Sequence, residues 1–364
     1  MEETGLLFHH TAEGLYWDES AYYEFDARQI DELDDAAQEL HRICLQAVQH
    51  VIDNNRFEEL GIPFGAIPII ERSWAEREPS LYGRFDLACD GLNPPKMLEY
   101  NADTPTALLE SGVTQWYWLQ EQFGEDCDQF NSIHEKLLET WPEVSQHMRG
   151  SLLHLTCVEG SLEDLVTTTY LQDTAGRSRI DTKLIYVSDI GWDAALRCFV
   201  DLEGNRIQNL FKLYPWEWTI QDRFGSGAVA SYESMCWIEP IWKMVLSNKG
   251  ILPILWELNP GHPNLLESYF DGPRGMRDYV RKPKLSREGA NITVSAGKDS
   301  FRTGGTYGAE GYIYQALSPI PCMDGNYPVP GCWIIGGRSA GMGIRESSGI
   351  VTDNYSRFVP HVFR

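Results

Sequence analysis

Apolar residues recur at helical spacing between positions 31 and 53, at Leu33, Ala37, Leu40, Cys44, Val48 and Val51, which places them on one helix face. The acidic start of this stretch suits a helix N-terminus, where the macrodipole favours negative charge. A second helical stretch, rich in Leu, Trp and Gln, is expected over residues 104–122. Around residue 150 the pattern changes. A strand over 152–158, a helix over 161–171 and a strand over 183–187 predict a βαβ unit. Residues 196–200 and 207–212 flank the turn-rich Asp201-Leu-Glu-Gly-Asn205, which suits a hairpin. Beyond residue 245 a helical Pro/Trp-rich segment, a strand over 278–283, a Gly-rich stretch over 286–311 and short strands at 312–317 and 332–336 read as α+β. No repeat or low-complexity linker interrupts the chain. It is expected to form one compact unit with lobes near 1–150, 151–245 and 246–364.

With 43% hydrophobic and 12% aromatic residues, the 364-residue chain has ample material for a core. Thirty Lys plus Arg against 53 Asp plus Glu give a formal charge of −23, a field that repels nucleic acids and anionic lipids. That field either attracts cationic substrates such as polyamines or simply keeps the protein soluble. Eight scattered cysteines, with no C-x-x-C pair and no Cys/His ligand spacing, read as reduced core residues. No apolar run approaches membrane-spanning length and the start MEETGLLFHH lacks the pattern of a leader, so a cytoplasmic protein is expected.

The candidate chemistry lies in two strands. In Gly83-Arg-Phe-Asp-Leu87, alternation puts Arg84 and Asp86 on one face and Phe85 and Leu87 on the other. After a turn over residues 90–95, Lys96-Met-Leu-Glu-Tyr-Asn101 repeats the arrangement, with Glu99 and Asn101 opposite Leu98 and Tyr100. A hairpin with its apolar faces together gathers Arg84, Asp86, Glu99 and Asn101 into one patch of hard oxygen ligands and a guanidinium. Such a patch suits Mg-nucleotide; the alternative is an exposed hairpin with ordinary surface charges.

A second cluster, VRKPKLSREGANI, ends a strand with Lys282 and continues into a small-residue loop. It either holds phosphates or is a surface loop, since it matches neither named phosphate-loop fingerprint. Glycines at 304, 305, 336, 337, 341 and 343 read as turns. There is no G-x-S-x-G and no H-E-x-x-H; His9-His10 lies near the terminus, and His262 falls in a turn, where it reads as structural.

Taken in order, GRFDLACDG, MLEYNADTPTALLESG, NKGILPILWELNPGHPNLLESYFD, VRKPKLSREGANI, YIYQALSP and GCWIIGGRSAGMGIRESSGIVTDNYSRFVPHVF resemble the synthetase portion of the glutathionylspermidine synthase family. The resemblance implies an ATP-grasp fold, α/β and α+β with a pre-ATP-grasp α/β lobe, and an ATP-dependent C–N ligase that joins a carboxylate to an amine, for which a polyamine is one candidate, through an acyl phosphate. It assigns Mg2+ to Asp86, Glu99 and Asn101, and phosphoryl stabilisation to Arg84. Lys249 and Lys282 would hold the ATP phosphates, and Gln315, Ala316 and Leu317 would meet the adenine. Arg345 would face the acyl substrate or its phosphate. Glu163 and Asp164 match acidic positions for the amine, although an acidic first helical turn explains them equally well.

Two departures point away from glutathione. Leu213 and Trp218 stand where the family's synthetases carry threonines that contact it, and Thr104 and Thr106 replace serines of the acyl pocket. The expectation is therefore a stand-alone synthetase without the cysteine amidase domain of bifunctional members. The alternatives are a peptide-tailoring ligase with other substrates and an inactive nucleotide-binding regulatory protein.

Overall fold

The computed structural model describes residues 5–6, 10–11, 14–352 and 356–364. His9 lies outside them. Three sheets carry the site.

The central sheet is antiparallel, in the order Arg357–Val359, Arg338–Ser347, Tyr327–Ile335, Tyr82–Ala88, Lys96–Asn101. It draws on both the first and the last of the expected lobes. One face, with Phe85, Leu87, Met97, Tyr100, Cys332, Ile334 and Met342, packs in the core that contains the helix Ala27–Asp53. That helix begins four residues before the expected start. Asp26 accepts from the Gln29 backbone N–H while the Gln29 side chain accepts from Asp26, a capping box that closes the first turn. All six apolar residues of the pattern are buried. The other face of the sheet presents Tyr82, Trp333 and Ile335 to a second core, and its polar stripe begins beside them, where Arg84 lies over the Trp333 ring.

The predicted βαβ unit is present. Leu152–Cys157, the helix Leu162–Arg177 with Ser161 as its N-cap, and Asp181–Tyr186 form it, inside a parallel sheet ordered Cys236–Ile238, Asn209–Lys212, Leu152–Cys157, Asp181–Tyr186. The hairpin expected across Asp201-Asn205 forms only close to its turn, where the Asp201 N–H bonds to the Asn205 carbonyl, the Ile207 N–H to the Phe199 carbonyl, and Val200 bridges to Arg206. Cys198–Val200 also pairs with Gly191–Asp193, and Asn209–Lys212 leaves the hairpin for the parallel sheet. The turn chemistry was visible in the sequence, but long-range parallel pairing took the second strand.

The third sheet is antiparallel, ordered Ser268–Tyr269, Tyr312–Ala316, Tyr279–Pro283, Thr293–Ala296, Asp299–Arg302. Its last two strands form a hairpin within the Gly-rich stretch 286–311, for which the sequence named no strand. Two more expectations change. The helix expected from residue 104 begins only at Leu108, because Pro105 disfavours helix for its predecessor and Ala107 adopts φ 66°. Gly341 and Gly343 are not turn residues but lie within the strand Arg338–Ser347, whereas Gly336 and Gly337 do form the turn before it. Six of the eight cysteines are buried and all are free; Cys322 is exposed, contrary to a uniform core reading. His262 accepts from the Asn264 N–H in a turn, as expected of a structural histidine. Among the described residues no helix is long and apolar enough to cross a membrane.

The helix Ala27–Asp53 carries much of the first core, so Leu40→Ala, at a fully buried position, is expected to cost about 2–5 kcal/mol. Urea unfolding with and without the substitution measures this.

Candidate active site

The two strands pair as their alternation predicts, Arg84 opposite Asn101, Phe85 opposite Tyr100 and Asp86 opposite Glu99. Phe85 and Tyr100 stack at 3.9 Å on the core face. Beyond Asp86 the register shifts, so that Leu87 faces Met97 rather than Leu98. The bulge corrects one expectation. Met97 takes the core position, while Leu98 lines a cleft of about 400 Å³ between this hairpin and the third sheet.

Asp86 is the junction of the polar stripe. It is 3% exposed and accepts from Arg84 Nε (2.7 Å) and Nη2 (3.2 Å), from Arg345 Nη2 (2.9 Å) and from Asn101 Nδ2 (3.2 Å). A buried carboxylate tolerates its desolvation only with such compensation. Arg84 also lies over the Trp333 ring, 5.6 Å from its centroid, and donates to the Thr106 carbonyl at 2.6 Å. A glycine at 331 makes room for it: a Cβ there would lie 2.8 Å from Arg84 Cδ. At Gly343 a Cβ would fall 2.2 Å from Ser111 Oγ, so the glycine lets the segment after the hairpin pack against the strand that carries Arg345.

Glu99 receives Lys249 Nζ at 2.9 Å and Asn101 Nδ2 at 3.3 Å. Burial alone would raise its pKa, but Lys249 and Lys282 outweigh it and hold the carboxyl down at about 2. Lys249 also donates to the Ser286 carbonyl, and Lys282 to the Leu98 carbonyl (2.9 Å) and to Gln315 Oε1 (2.7 Å). Burial lowers the Lys282 ammonium to about 8 despite the attraction of Glu99. The stripe thus sets four cations, Arg84, Arg345, Lys249 and Lys282, against two carboxylates, an excess of two positive charges suited to a polyphosphate.

Asp86, Glu99, Lys249, Lys282 and Gln315–Leu317 all line the cleft. The Ala316 N–H bonds to the Glu267 carbonyl and the Leu317 N–H to that of Asp278, and Val280, Ile292 and Val294 give the cleft apolar walls. Asp86, Glu99 and Asn101 form a donor set that fits Mg2+: two carboxylates and an amide oxygen, with nucleotide phosphates and water completing the shell. One amide nitrogen already lies within hydrogen-bond distance of both carboxylates. Turning the Asn101 amide over would present its oxygen between them.

The remaining candidates flank this stripe. The Thr106 hydroxyl donates to Glu163, at the start of the helix Leu162–Arg177, so one residue joins Arg84 to the acidic pair. Burial, reinforced by Glu163, lifts Asp164 to about 7. Thr104 accepts from Arg287 Nη1 at 2.8 Å, and Arg287 Nη2 reaches Glu217 at 2.7 Å. The two residues of the first departure separate here. Leu213 is 3% exposed in the second core, whereas Trp218 lies at the surface with Arg287 5.7 Å from its ring centroid. Sequence reasoning missed Arg287 and Glu217, although Arg287 lies five residues after Lys282 in the same segment. It also missed Glu110, which is buried, accepts from the Tyr16 hydroxyl at 2.7 Å and is pushed up to about 7 by burial.

The whole chain, residues 1–364, matches the family profile described as glutathionylspermidine synthase preATP-grasp. The chain belongs to the glutathionylspermidine synthase family. A Haemophilus influenzae protein bearing the provisional name acid–amine ligase is 40% identical over 360 residues, covering 96% of this chain and 91% of that one. The trypanothione synthetase of Crithidia fasciculata is 30% identical over 350 residues, 88% of this chain but 53% of its own length. The chain thus spans about half of that longer relative. A glutathione synthetase-like effector of Globodera pallida shares the fold, with a TM-score of 0.60 over 94% of this chain and 89% of its own at 10% identity. As a member of the glutathionylspermidine synthase family, the protein is a C–N ligase of ATP-grasp architecture.

Glu99→Ala is expected to lower Mg-ATP turnover by orders of magnitude while circular dichroism and thermal melting show the fold retained. Full activity in this variant would remove Glu99 from the metal-binding set.

Proposed function

We propose that the protein phosphorylates a substrate carboxylate with ATP and passes the acyl group to an amine. The observation that carries this reading is the Asp86 junction. One buried carboxylate ties two arginines to a hairpin whose other acid, Glu99, faces two lysines across the nucleotide-sized cleft.

Lys249 and Lys282 bind and orient the β- and γ-phosphates. A divalent cation held by Asp86, Glu99 and Asn101 would supply Lewis-acid neutralisation of the transferring phosphoryl group. Arg84, fixed by Asp86 and the Thr106 carbonyl, stands ready for charge on that group, and Arg345 for the carboxylate or its phosphate. A carboxylate oxygen attacks the γ-phosphorus and ADP departs. The amine nitrogen then attacks the acyl carbon, phosphate leaves with that oxygen, and the amine gives up a proton. Glu163 and Asp164 are placed to hold a cationic amine beside Thr106.

Trp218 beside Arg287 at the exposed edge of the 104–106 segment supports a carboxylate other than glutathione. ADP release should be followed with Mg-ATP across amines and peptide carboxylates, including glutathione and spermidine, with Asp86→Ala as blank. Release that needs both substrates supports the ligase and names them; clear nucleotide binding without release supports the regulatory reading.

The acidic pair gives a pH signature. Asp164 gains its charge as pH rises through about 7, so between pH 6 and 8 the KM for a cationic amine should fall by up to about tenfold. Asp164→Asn should flatten that dependence, as steady-state kinetics at each pH would show.

A further inference from the structure

The ligation step leaves a proton to be placed. An amine arrives as an ammonium and ends as an amide nitrogen, so two protons leave it, and the first must go before the nitrogen can attack. An acyl phosphate has to be kept from water, which calls for an acceptor inside the protein.

Glu110 is a buried acid that the nucleotide stripe does not use. It is 1% exposed and opens the π-helical turn Glu110–Thr114, in the same segment as Thr106. Turns of this kind interrupt helices frequently at functional sites. Its Oε1 accepts from the Tyr16 hydroxyl at 2.7 Å, whereas its Oε2 has no hydrogen-bond partner among the described residues. Leaving a buried polar atom in that state costs about 1–3 kcal/mol, which packing alone does not require. Tyr16 can only donate here, because burial and the nearby Glu110 and Glu163 keep its phenol protonated despite Arg345. Oε1 is thereby occupied, and Oε2 is the oxygen left to carry a proton.

The charged groups around Glu110 come from three elements. Glu163, at the head of the helix Leu162–Arg177, disfavours its charge; Arg84, on the strand Tyr82–Ala88, favours it; Arg345, on Arg338–Ser347, acts on Tyr16. Burial raises the Glu110 carboxyl, the Tyr16 hydrogen bond and Arg84 offset part of that rise, and Glu163 adds to it, for a value of about 7. A group balanced there can take a proton and return it within one turnover. Glu163 is the link outward. It accepts from the Thr106 hydroxyl and is half-buried, within reach of an ammonium, while Glu110 is closed to solvent.

We propose that Glu110 acts through Glu163 as the store for the first proton that the amine gives up. An ammonium N–H bond breaks, its electron pair stays on nitrogen for attack on the acyl carbon, and the proton passes by way of the Glu163 carboxylate to Glu110 Oε2. The second proton leaves with the phosphate when the bond from the acyl carbon to the phosphate oxygen breaks. Glu110 returns its own to water as the amide departs. Glu163 and Asp164 hold the amine, and Glu110 is a positioning residue for its proton. The inference rests on the ligase reading.

Hydroxylamine separates the two, since it is already uncharged at neutral pH and traps an acyl phosphate as a hydroxamate without an acceptor for that first proton. Wild type and Glu110→Gln, which keeps the side-chain size, are given Mg-ATP and the carboxylates named above, with either spermidine or hydroxylamine. Glu110→Gln is expected to lower kcat for amide formation at least about a hundredfold, while the KM for the amine and the rate of hydroxamate formation stay within about twofold. Tyr16→Phe removes a hydrogen bond that favours ionised Glu110. The rise of kcat for amide formation through about pH 7 should therefore move to higher pH in this variant, with hydroxamate formation unaffected, which keeps the test open if Glu110→Gln does not fold. Equal losses with both nucleophiles, or a raised amine KM at unchanged kcat, overturn the store. A wild type that gives neither product with any carboxylate removes the ligase reading, and the store with it.

Discussion

A carboxylate buried in the central sheet is tolerable only while cations surround it, and Asp86 meets that condition from two directions. Arg84 is its neighbour along the strand; Arg345 comes from a strand 259 residues later. Removing one partner of such a buried pair typically costs about 3–5 kcal/mol, so the polar stripe constrains the fold that presents it. The strand order of the central sheet follows from this constraint. The C-terminal hairpin must lie beside Tyr82–Ala88 for Arg345 to reach Asp86.

The same constraint explains residues that touch no ligand. Gly331 and Gly343 leave space for the Arg84 side chain and for the segment after the hairpin, in strands where glycine otherwise weakens pairing. Arg84 passes the order outward through Thr106 to Glu163, and Glu99 passes it through Lys249 to the loop at Ser286. The two lysines, the 104–106 segment and the acidic pair are held in one hydrogen-bonded body, an arrangement that suits the proposed meeting of two substrates at one phosphoryl group.

How much of this was legible depends on how local the signal is. Alternation in Gly83–Leu87 and Lys96–Asn101 was enough to gather Arg84, Asp86, Glu99 and Asn101, because a two-residue period is a property of the strand itself. Leu98 was misplaced because a bulge depends on the partner strand. The strand Arg338–Ser347 was hidden by glycines that its neighbours demand, and the turn at Asp201–Asn205 was recognised while the partner of Asn209–Lys212 was not. Lys282 stood out in its own segment as a candidate for phosphates, whereas the expectations for Lys249 and Arg345 came from family resemblance, since nothing within a window of the chain joins them to the hairpin. Arg287, Glu217 and Glu110 needed three-dimensional contacts to be noticed.

In the proposed reaction the Asp86 stripe serves transfer of a phosphoryl group to a carboxylate. Oxygen-18 in the carboxylate substrate tests it most directly, with the inorganic phosphate analysed by mass spectrometry after one round of ligation. An acyl phosphate requires one labelled oxygen in each phosphate released with amide. Unlabelled phosphate accompanying amide formation would contradict the account.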